Sequence, residues 1–142
     1  MSVLDYPFDS AYILQKKKSI KKELLAKDKF IEKKVAIMSG STIGEIKNIL
    51  ELFLLNYGIK PEFRVGGYNR YFEELMFDDG SLKEFGPDFI YIHTSNKNLE
   101  NLPVPQDSAD EVNAKLEKEF AKYKTVVEKA LSYGAVVIVN NY

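Results

Sequence analysis

The stretch Lys34-Val-Ala-Ile-Met-Ser-Gly-Ser-Thr-Ile43 decides the fold. A short apolar run ends in four small residues, Ser39-Gly40-Ser41-Thr42, and a long apolar pattern reaching Leu55 follows. This order predicts a strand, a tight turn and a helix, the unit from which open α/β folds build a site at the carboxyl edge of a sheet. Such a turn would place the Ser41 hydroxyl and free backbone N–H groups at a helix start, where an anion or a developing oxyanion is favoured.

Further apolar runs continue this alternation of strands and helices. We predict strands at Lys34–Met38, Pro61–Val65, Phe89–His93 and Ala135–Val139. Strands that are apolar throughout, rather than alternately, are typical of a parallel sheet covered on both faces. Because crossovers are right-handed, the sequence predicts an α/β three-layer sandwich with a flavodoxin-like parallel sheet, in the order 2-1-3-4, and helices on both faces.

Capping residues mark the helix starts. Asp9 or Ser10 is expected to cap a first helix that runs to about Ala26. Its predicted buried side consists of Ala11, Ile13, Leu14, Ile20, Leu24 and Leu25.

Two later helices have the spacing of a capping box at their starts. Thr42 with Glu45 opens the second helix, and Ser108 with Glu111 opens a long helix near the end of the chain. The predicted buried face of the second helix consists of Ile43, Ile46, Ile49, Leu50, Phe53 and Leu54.

Composition excludes several kinds of site. At 142 residues the chain is expected to form one domain, with a lead-in and N-terminal helix in residues 1–33 and an α/β core in residues 34–142. It has no cysteine, which excludes disulfides, thiolate metal sites and cysteine nucleophiles, and its single histidine argues against a multi-histidine metal centre. No run approaches the ~18 apolar residues of a membrane span, and the N-terminus lacks a secretory pattern. We therefore expect a cytoplasmic protein without a membrane partner.

Charge is unevenly distributed along the chain. The net charge is −1, yet residues 1–34 carry nine lysines against five carboxylates. The functional interpretation is a surface for an acidic partner or nucleic acid, and the simpler one is the solvated face of an amphipathic helix. Because nucleic-acid recognition favours arginine and the chain has only Arg64 and Arg70, we do not expect nucleic-acid binding.

The predicted sheet order places several polar residues together. Strands one and three would be neighbours about 4.8 Å apart. Their carboxyl ends would bring Ser41, His93 and Asn96 together, with Gly66 and Gly67 after strand two on the flank. This edge is the expected site.

Strand four is expected to be an apolar strand at the edge of the sheet. An exposed edge of this kind invites pairing with another chain. Either it pairs across an oligomer or the natural polypeptide continues beyond it, and we favour the second interpretation.

Three short blocks resemble those of SGNH hydrolases. Ser39-Gly40-Ser41-Thr42 is similar to the Gly-Asp-Ser nucleophile block, Gly66 or Gly67 to the glycine block, and Thr94-Ser95-Asn96 to the Gly-x-Asn-Asp block. The resemblance implies Ser41 as the nucleophile position. It also implies oxyanion donors in the Ser41 backbone N–H, in Gly66 or Gly67 and in the Asn96 side chain, with Gly40 as a further ligand-binding position.

Longer stretches resemble the N-terminal SGNH-like domain of FkbH-like proteins. These are Leu4-Asp5-Tyr6-Pro7-Phe8-Asp9-Ser10, Met38–Thr42, Tyr68-Asn69-Arg70-Tyr71-Phe72-Glu73 and Asp88–Asn96. In that family a haloacid-dehalogenase-type phosphatase domain follows, and family members load a glyceryl unit onto an acyl carrier protein or act in surface-polysaccharide and natural-product pathways. The signature of that domain, Asp-x-Asp-x-Thr after a strand, does not occur in this sequence. The resemblance therefore implies the module that precedes the phosphatase domain.

The same resemblance implies the partners and cofactors. An adjacent haloacid-dehalogenase-type domain in cis and an acyl carrier protein are the expected partners. No cofactor is expected in this domain, and Mg is expected only for the phosphatase-type domain.

The sequence also departs from the hydrolase pattern. Gly40 replaces the Asp of Gly-Asp-Ser, and Lys97 stands at the second block's Asp. The family's base lies in an Asp-x-x-His block near the C-terminus, whereas no histidine follows His93. A missing general base costs a factor of ~10²–10⁴ in rate. We therefore expect a catalytically degenerate domain that docks or positions its neighbours.

Two other functions stay open. The chain could be a small serine esterase or acyltransferase using Ser41, with His93 or a group from elsewhere as base, or a small-anion-binding module at the Ser39–Thr42 turn. Each site residue also has a purely structural interpretation. Ser41 can cap its helix, Gly66 and Gly67 can permit a tight turn, and Asn96 can bridge loop backbone.

Overall fold

Strands and helices alternate along the chain in the computed structural model, which describes residues 2–27 and 29–141. The helices are α1 (Ser10–Leu25), α2 (Gly44–Asn56), α3 (Tyr71–Met76), α4 (Ser81–Phe85) and α5 (Ala109–Leu131), with a short 3₁₀ helix at Asn96–Asn98. The strands are β1 (Ile31–Ser39), β2 (Ile59–Val65), β3 (Phe89–His93) and β4 (Val136–Val139).

The strands form one sheet in the order β2-β1-β3-β4. Both the β1–β3 pair and the β3–β4 pair are parallel, and Ser39 lies opposite His93, so that β1 and β3 end side by side. The last five residues of β1 are all buried, which requires cover on both faces of this strand. The predicted fold class and strand order are confirmed.

The chain divides into two compact units, each with its own core. The first comprises residues 1–34 and 43–63, and its core consists of Leu4, Ile13, Ile20, Leu24, Leu52 and Leu55. The second comprises residues 35–42 and 64–142, and its core consists of Ala36, Met38, Tyr71, Leu75, Leu82, Ile90, Ile92, Val126, Ala130 and Ala135. All the predicted site residues belong to the second unit.

The predicted capping box of Thr42 with Glu45 is wrong. Helix α2 begins at Gly44, and its N-terminal residue makes no side-chain capping hydrogen bond. Before the helix, the buried Ser39 hydroxyl accepts a hydrogen bond from the Ser41 N–H at 3.0 Å and donates one to the Ser41 carbonyl at 2.6 Å. Ser41 is thereby held in the turn before the helix.

The predicted buried faces of α1 and α2 are only partly right. Three of the residues predicted for α1 are buried, whereas Ala11, Leu14 and Leu25 are exposed. Helix α2 buries Leu52 and Leu55, and Ile46 is exposed. Only a narrow stripe of each helix packs into the core of the first unit, so the apolar residues beside that stripe remain exposed.

The predictions for β3 and for the start of α5 are confirmed. Strand β3 has the predicted bounds. The capping box at the start of α5 forms, with the Ser108 hydroxyl accepting from the Glu111 N–H and the Glu111 carboxylate accepting from the Ser108 N–H. Within the described part of the chain, no helix is long and apolar enough to cross a membrane.

Candidate functional site

Ser41 lies in the turn between β1 and α2 and is half-buried. Its N–H, the first of the expected oxyanion donors, already donates to the Ser39 hydroxyl. The preceding peptide is also fixed, since the Gly40 N–H donates to the His93 carbonyl at 2.8 Å. The turn is therefore held by hydrogen bonds on both sides of Gly40.

The His93 ring lies beside Tyr91, on the same face of β3. The Tyr91 hydroxyl and His93 Nδ1 are 2.9 Å apart, and the two rings meet edge to face. Burial, with a smaller contribution from Tyr123, raises the pKa of Tyr91, so the phenol stays protonated at neutral pH. The tautomer of the imidazole decides which of the two groups donates. One nitrogen of the chain's single imidazole, Nδ1, is thus engaged by Tyr91.

The N–H groups of the Gly66–Gly67 turn after β2 also donate hydrogen bonds within the protein. The Gly66 N–H donates to the Ile37 carbonyl at 2.9 Å and thereby continues the sheet. The Gly67 N–H donates to the Glu74 carboxylate at 2.6 Å. The Glu74 carboxylate therefore occupies the position in which a substrate oxyanion would accept a hydrogen bond from the Gly67 N–H.

Glu74 is the charged centre of this turn. Its other oxygen, Oε2, lies 3.7 Å from Nη1 of Arg64, whose Nη2 donates to the Ser81 hydroxyl at 2.7 Å. A Cβ atom on Gly66 would lie 2.7 Å from Glu74 Oε2, and one on Gly67 would lie 3.2 Å from Oε1. The absence of a Cβ atom at both positions lets the Glu74 carboxylate pack directly on the backbone, most closely at Gly66.

Asn98 fills the space next to Gly40. Its side-chain amide donates to the Gly40 carbonyl at 2.8 Å and to the Asn69 side chain at 3.0 Å, and its oxygen accepts from the Ser95 N–H at 2.8 Å. A Cβ atom on Gly40 would lie 2.3–2.4 Å from the Asn98 amide. This contact explains why glycine stands where the hydrolase pattern has Asp, since any side chain would displace the amide.

The amide that reaches the end of β1 is thus that of Asn98, two residues after the one expected. Asn96 begins the 3₁₀ helix and is exposed. Ser95 accepts from the Lys97 N–H and pairs with Asn98 across the start of this helix. The spacing Ser95-x-x-Asn98, which resembles a capping pair, was the one sequence signal for Asn98. For Glu74 there was no such signal.

Loops around the site are held by similar contacts. Glu119 on α5 accepts hydrogen bonds from the N–H groups of Glu100 and Asn101 and from the Asn101 side chain. Burial pushes the pKa of Glu119 up, but these hydrogen bonds outweigh it and leave the pKa below its ordinary value. Asn140 fixes the end of β3 by exchanging two hydrogen bonds with the Thr94 backbone.

The arrangement therefore supplies few free groups for catalysis. The N–H groups of Gly40, Ser41, Gly66 and Gly67 all donate within the protein. The described residues include no group of three or more acidic or histidine side chains that could hold a metal ion. What the edge does hold is a carboxylate, Glu74, and an amide, Asn98, both directed inward.

Comparison with known proteins gives one informative result. No protein-family model and no curated protein matches the chain. Its fold is similar to a crystal structure of the N-terminal part of a Bacteroides fragilis protein, which contains a phosphatase domain and was determined in complex with Mg. The TM-score is 0.68 and the sequence identity is 18%. The similarity covers 89% of this chain but only 33% of that structure. The chain thus has the fold of about a third of a larger structure that contains a phosphatase domain.

Proposed function

We propose that the chain is a noncatalytic SGNH-like domain that docks or positions an adjacent haloacid-dehalogenase-type phosphatase domain. One observation carries the proposal. The N–H groups expected to bind an oxyanion, including those of Ser41 and Gly67, are engaged inside the protein, and His93 Nδ1 is hydrogen-bonded to Tyr91 rather than to Ser41. A serine without a base or an oxyanion site lacks the two largest contributions to acyl transfer.

The surface proposed for docking lies at β4. Val136 and Ile138 are 57% and 47% exposed, and Leu131 before the strand is 54% exposed. The strand has no charged residue and no proline, the usual means by which an edge strand avoids pairing. A neighbouring domain that covers this edge would bury an apolar surface that is otherwise exposed to water.

The fold neighbour supports this assignment only at the level of domain organisation. In the proposal, the phosphatase-type domain would use Mg and carry the chemistry, namely glyceryl or acyl transfer to an acyl carrier protein in surface-polysaccharide or secondary-metabolite biosynthesis. The present domain would hold that domain and its carrier in place.

A fluorophosphonate probe tests the lack of catalysis. We expect the intact mass of the folded protein to stay unchanged after incubation with the probe, because no base activates Ser41. The Ser41→Ala variant serves as the matched control. A single adduct that forms on the parent and not on this variant would show that Ser41 is an active nucleophile and would overturn the noncatalytic assignment.

A binding experiment tests the docking role. The chain is titrated with the phosphatase-type domain from the same source, and we expect complex formation that Ile138→Lys weakens by at least about tenfold, since the lysine charge would be buried. Leu102→Lys, a similar change at an exposed loop residue, should bind like the parent. Equal weakening by both variants, or no complex with the parent, would contradict docking through β4.

A further inference from the structure

A second apolar surface lies in the first unit, between α1 and α2. It is a groove of about 500 Å³ lined by Leu14, Glu45, Ile46, Ile49, Leu50 and Phe53. Leu14 is 52% exposed and Ile46 is 42% exposed. Phe8 packs edge-on against Phe53, with ring centroids 5.5 Å apart, and adds an aromatic face at this surface. We refer to these lining residues together as the α1–α2 groove.

The carboxylates beside the α1–α2 groove are neutralised by lysines of α1. Lys21 lies 2.7 Å from Glu51, and Lys17 forms an ion pair with Glu45. These pairs join the two helices, and they remove the negative charge that would otherwise repel an acidic molecule from the groove.

Other lysines of α1 stay uncompensated on the solvent side. Lys18 and Lys22 follow Leu14 by four and eight residues, a spacing that places the three on one side of the helix. Both lysines are exposed, and neither forms an ion pair with any of the residues that the structure describes. The apolar groove is thus bordered by positive charge.

We infer that the α1–α2 groove binds an acidic amphipathic helix of a partner protein. Apolar side chains of that helix would enter the groove, and carboxylates along its border would face Lys18 and Lys22. The groove extends along α2 from Glu45 to Phe53, about 12 Å, which about two turns of a partner helix would match. The groove belongs to the first unit and the proposed β4 surface to the second, so this inference does not depend on the proposed function.

Charge complementarity favours an acidic helix over a lipid surface. The apolar lining and the two lysines occupy different parts of the surface, and a single helix can place its apolar residues over the groove and its acidic residues only over the lysine side, whereas a membrane presents the same face to both.

The test uses a fluorescein-labelled model peptide of about 14 residues, with leucines at helical spacing and glutamates elsewhere. We expect saturable binding in fluorescence anisotropy that weakens steadily as salt is added. A second peptide with glutamine in place of glutamate should bind about tenfold more weakly. These measurements use the unaltered protein, so they do not depend on the folding of any variant.

Variants then locate the binding surface. The double substitution Lys18→Glu and Lys22→Glu, and separately Ile46→Glu, should each weaken binding by about tenfold or more. Lys16→Glu is the matched control on the same helix, because it lies two residues from Lys18 and faces another direction. Leu116→Glu on α5 is the control for an exposed apolar residue. Circular dichroism verifies that each variant is folded.

Three results would overturn the inference. The first is a lack of saturable binding by the acidic peptide. The second is an equal loss of affinity in the control variants. The third is binding to phosphatidylserine vesicles, lost in the Lys18→Glu and Lys22→Glu variant, without binding of the peptide, which would make the groove a membrane-binding surface instead.

Discussion

Replacing Gly40 with alanine is expected to lower the free energy of unfolding by about 2–3 kcal/mol. The new Cβ atom would lie 2.3–2.4 Å from the Asn98 amide, so the amide has to leave its position. Its hydrogen bonds to Gly40, Asn69 and Ser95 would be lost together, each worth about 0.5–1.5 kcal/mol net. Urea denaturation of the parent and the variant measures the difference.

A double-mutant cycle tests whether the clash with Asn98 causes the loss of stability in Gly40→Ala. Asn98→Ala alone should cost a similar amount, and Gly40→Ala added to Asn98→Ala should cost little more, because the clashing amide is gone. Gly44→Ala is the matched control, since a Cβ atom there meets nothing within 4 Å and alanine favours the helix. Additive costs in the cycle would mean that Gly40 is required for a reason other than Asn98.

The substitution Glu74→Ala is expected to lower the free energy of unfolding by about 2 kcal/mol. It removes the acceptor of the Gly67 N–H and the carboxylate that faces the Arg64 guanidinium. Breaking a fully buried ion pair costs about 3–5 kcal/mol, and we expect less here because both side chains are partly exposed. Thermal or urea unfolding reports the change.

Two further variants separate the hydrogen bond from the charge. Glu74→Gln keeps an oxygen for the Gly67 N–H and loses the charge opposite Arg64, so it should cost less than Glu74→Ala. Glu73→Ala, at the exposed neighbouring position on α3, should be nearly neutral. If Glu73→Ala and Glu74→Ala had the same effect, the Gly66–Gly67 turn would not depend on the Glu74 carboxylate.

Both predictions concern the side chains on which the proposed noncatalytic role depends. Asn98 fills the space beside Ser41, where a hydrolase would need room for its substrate. Glu74 accepts from the Gly67 N–H, which a hydrolase would need as a free donor. Their removal is expected to loosen the site without creating activity, because His93 stays bonded to Tyr91 and no other imidazole exists in the chain.

Much of the architecture could be predicted from local signals. The apolar run before Ser39, the bounds of β3 and the capping box of Ser108 with Glu111 each depend on residues close in sequence. Chain connectivity and the handedness of crossovers then gave the strand order. These features follow from periodicity, turn chemistry and steric rules that act within a few residues.

The sequence by itself determined the α/β fold and the sheet edge at which the predicted site residues gather. Only the tertiary structure decided what fills that edge, because the contact of Asn98 with Gly40 joins residues 58 positions apart and depends on the β1–β3 pairing. The same holds for the side of α2 that is buried, which is set by its packing with α1 rather than by its own pattern. Long-range hydrogen bonds and helix packing leave no periodic trace in the residues that make them.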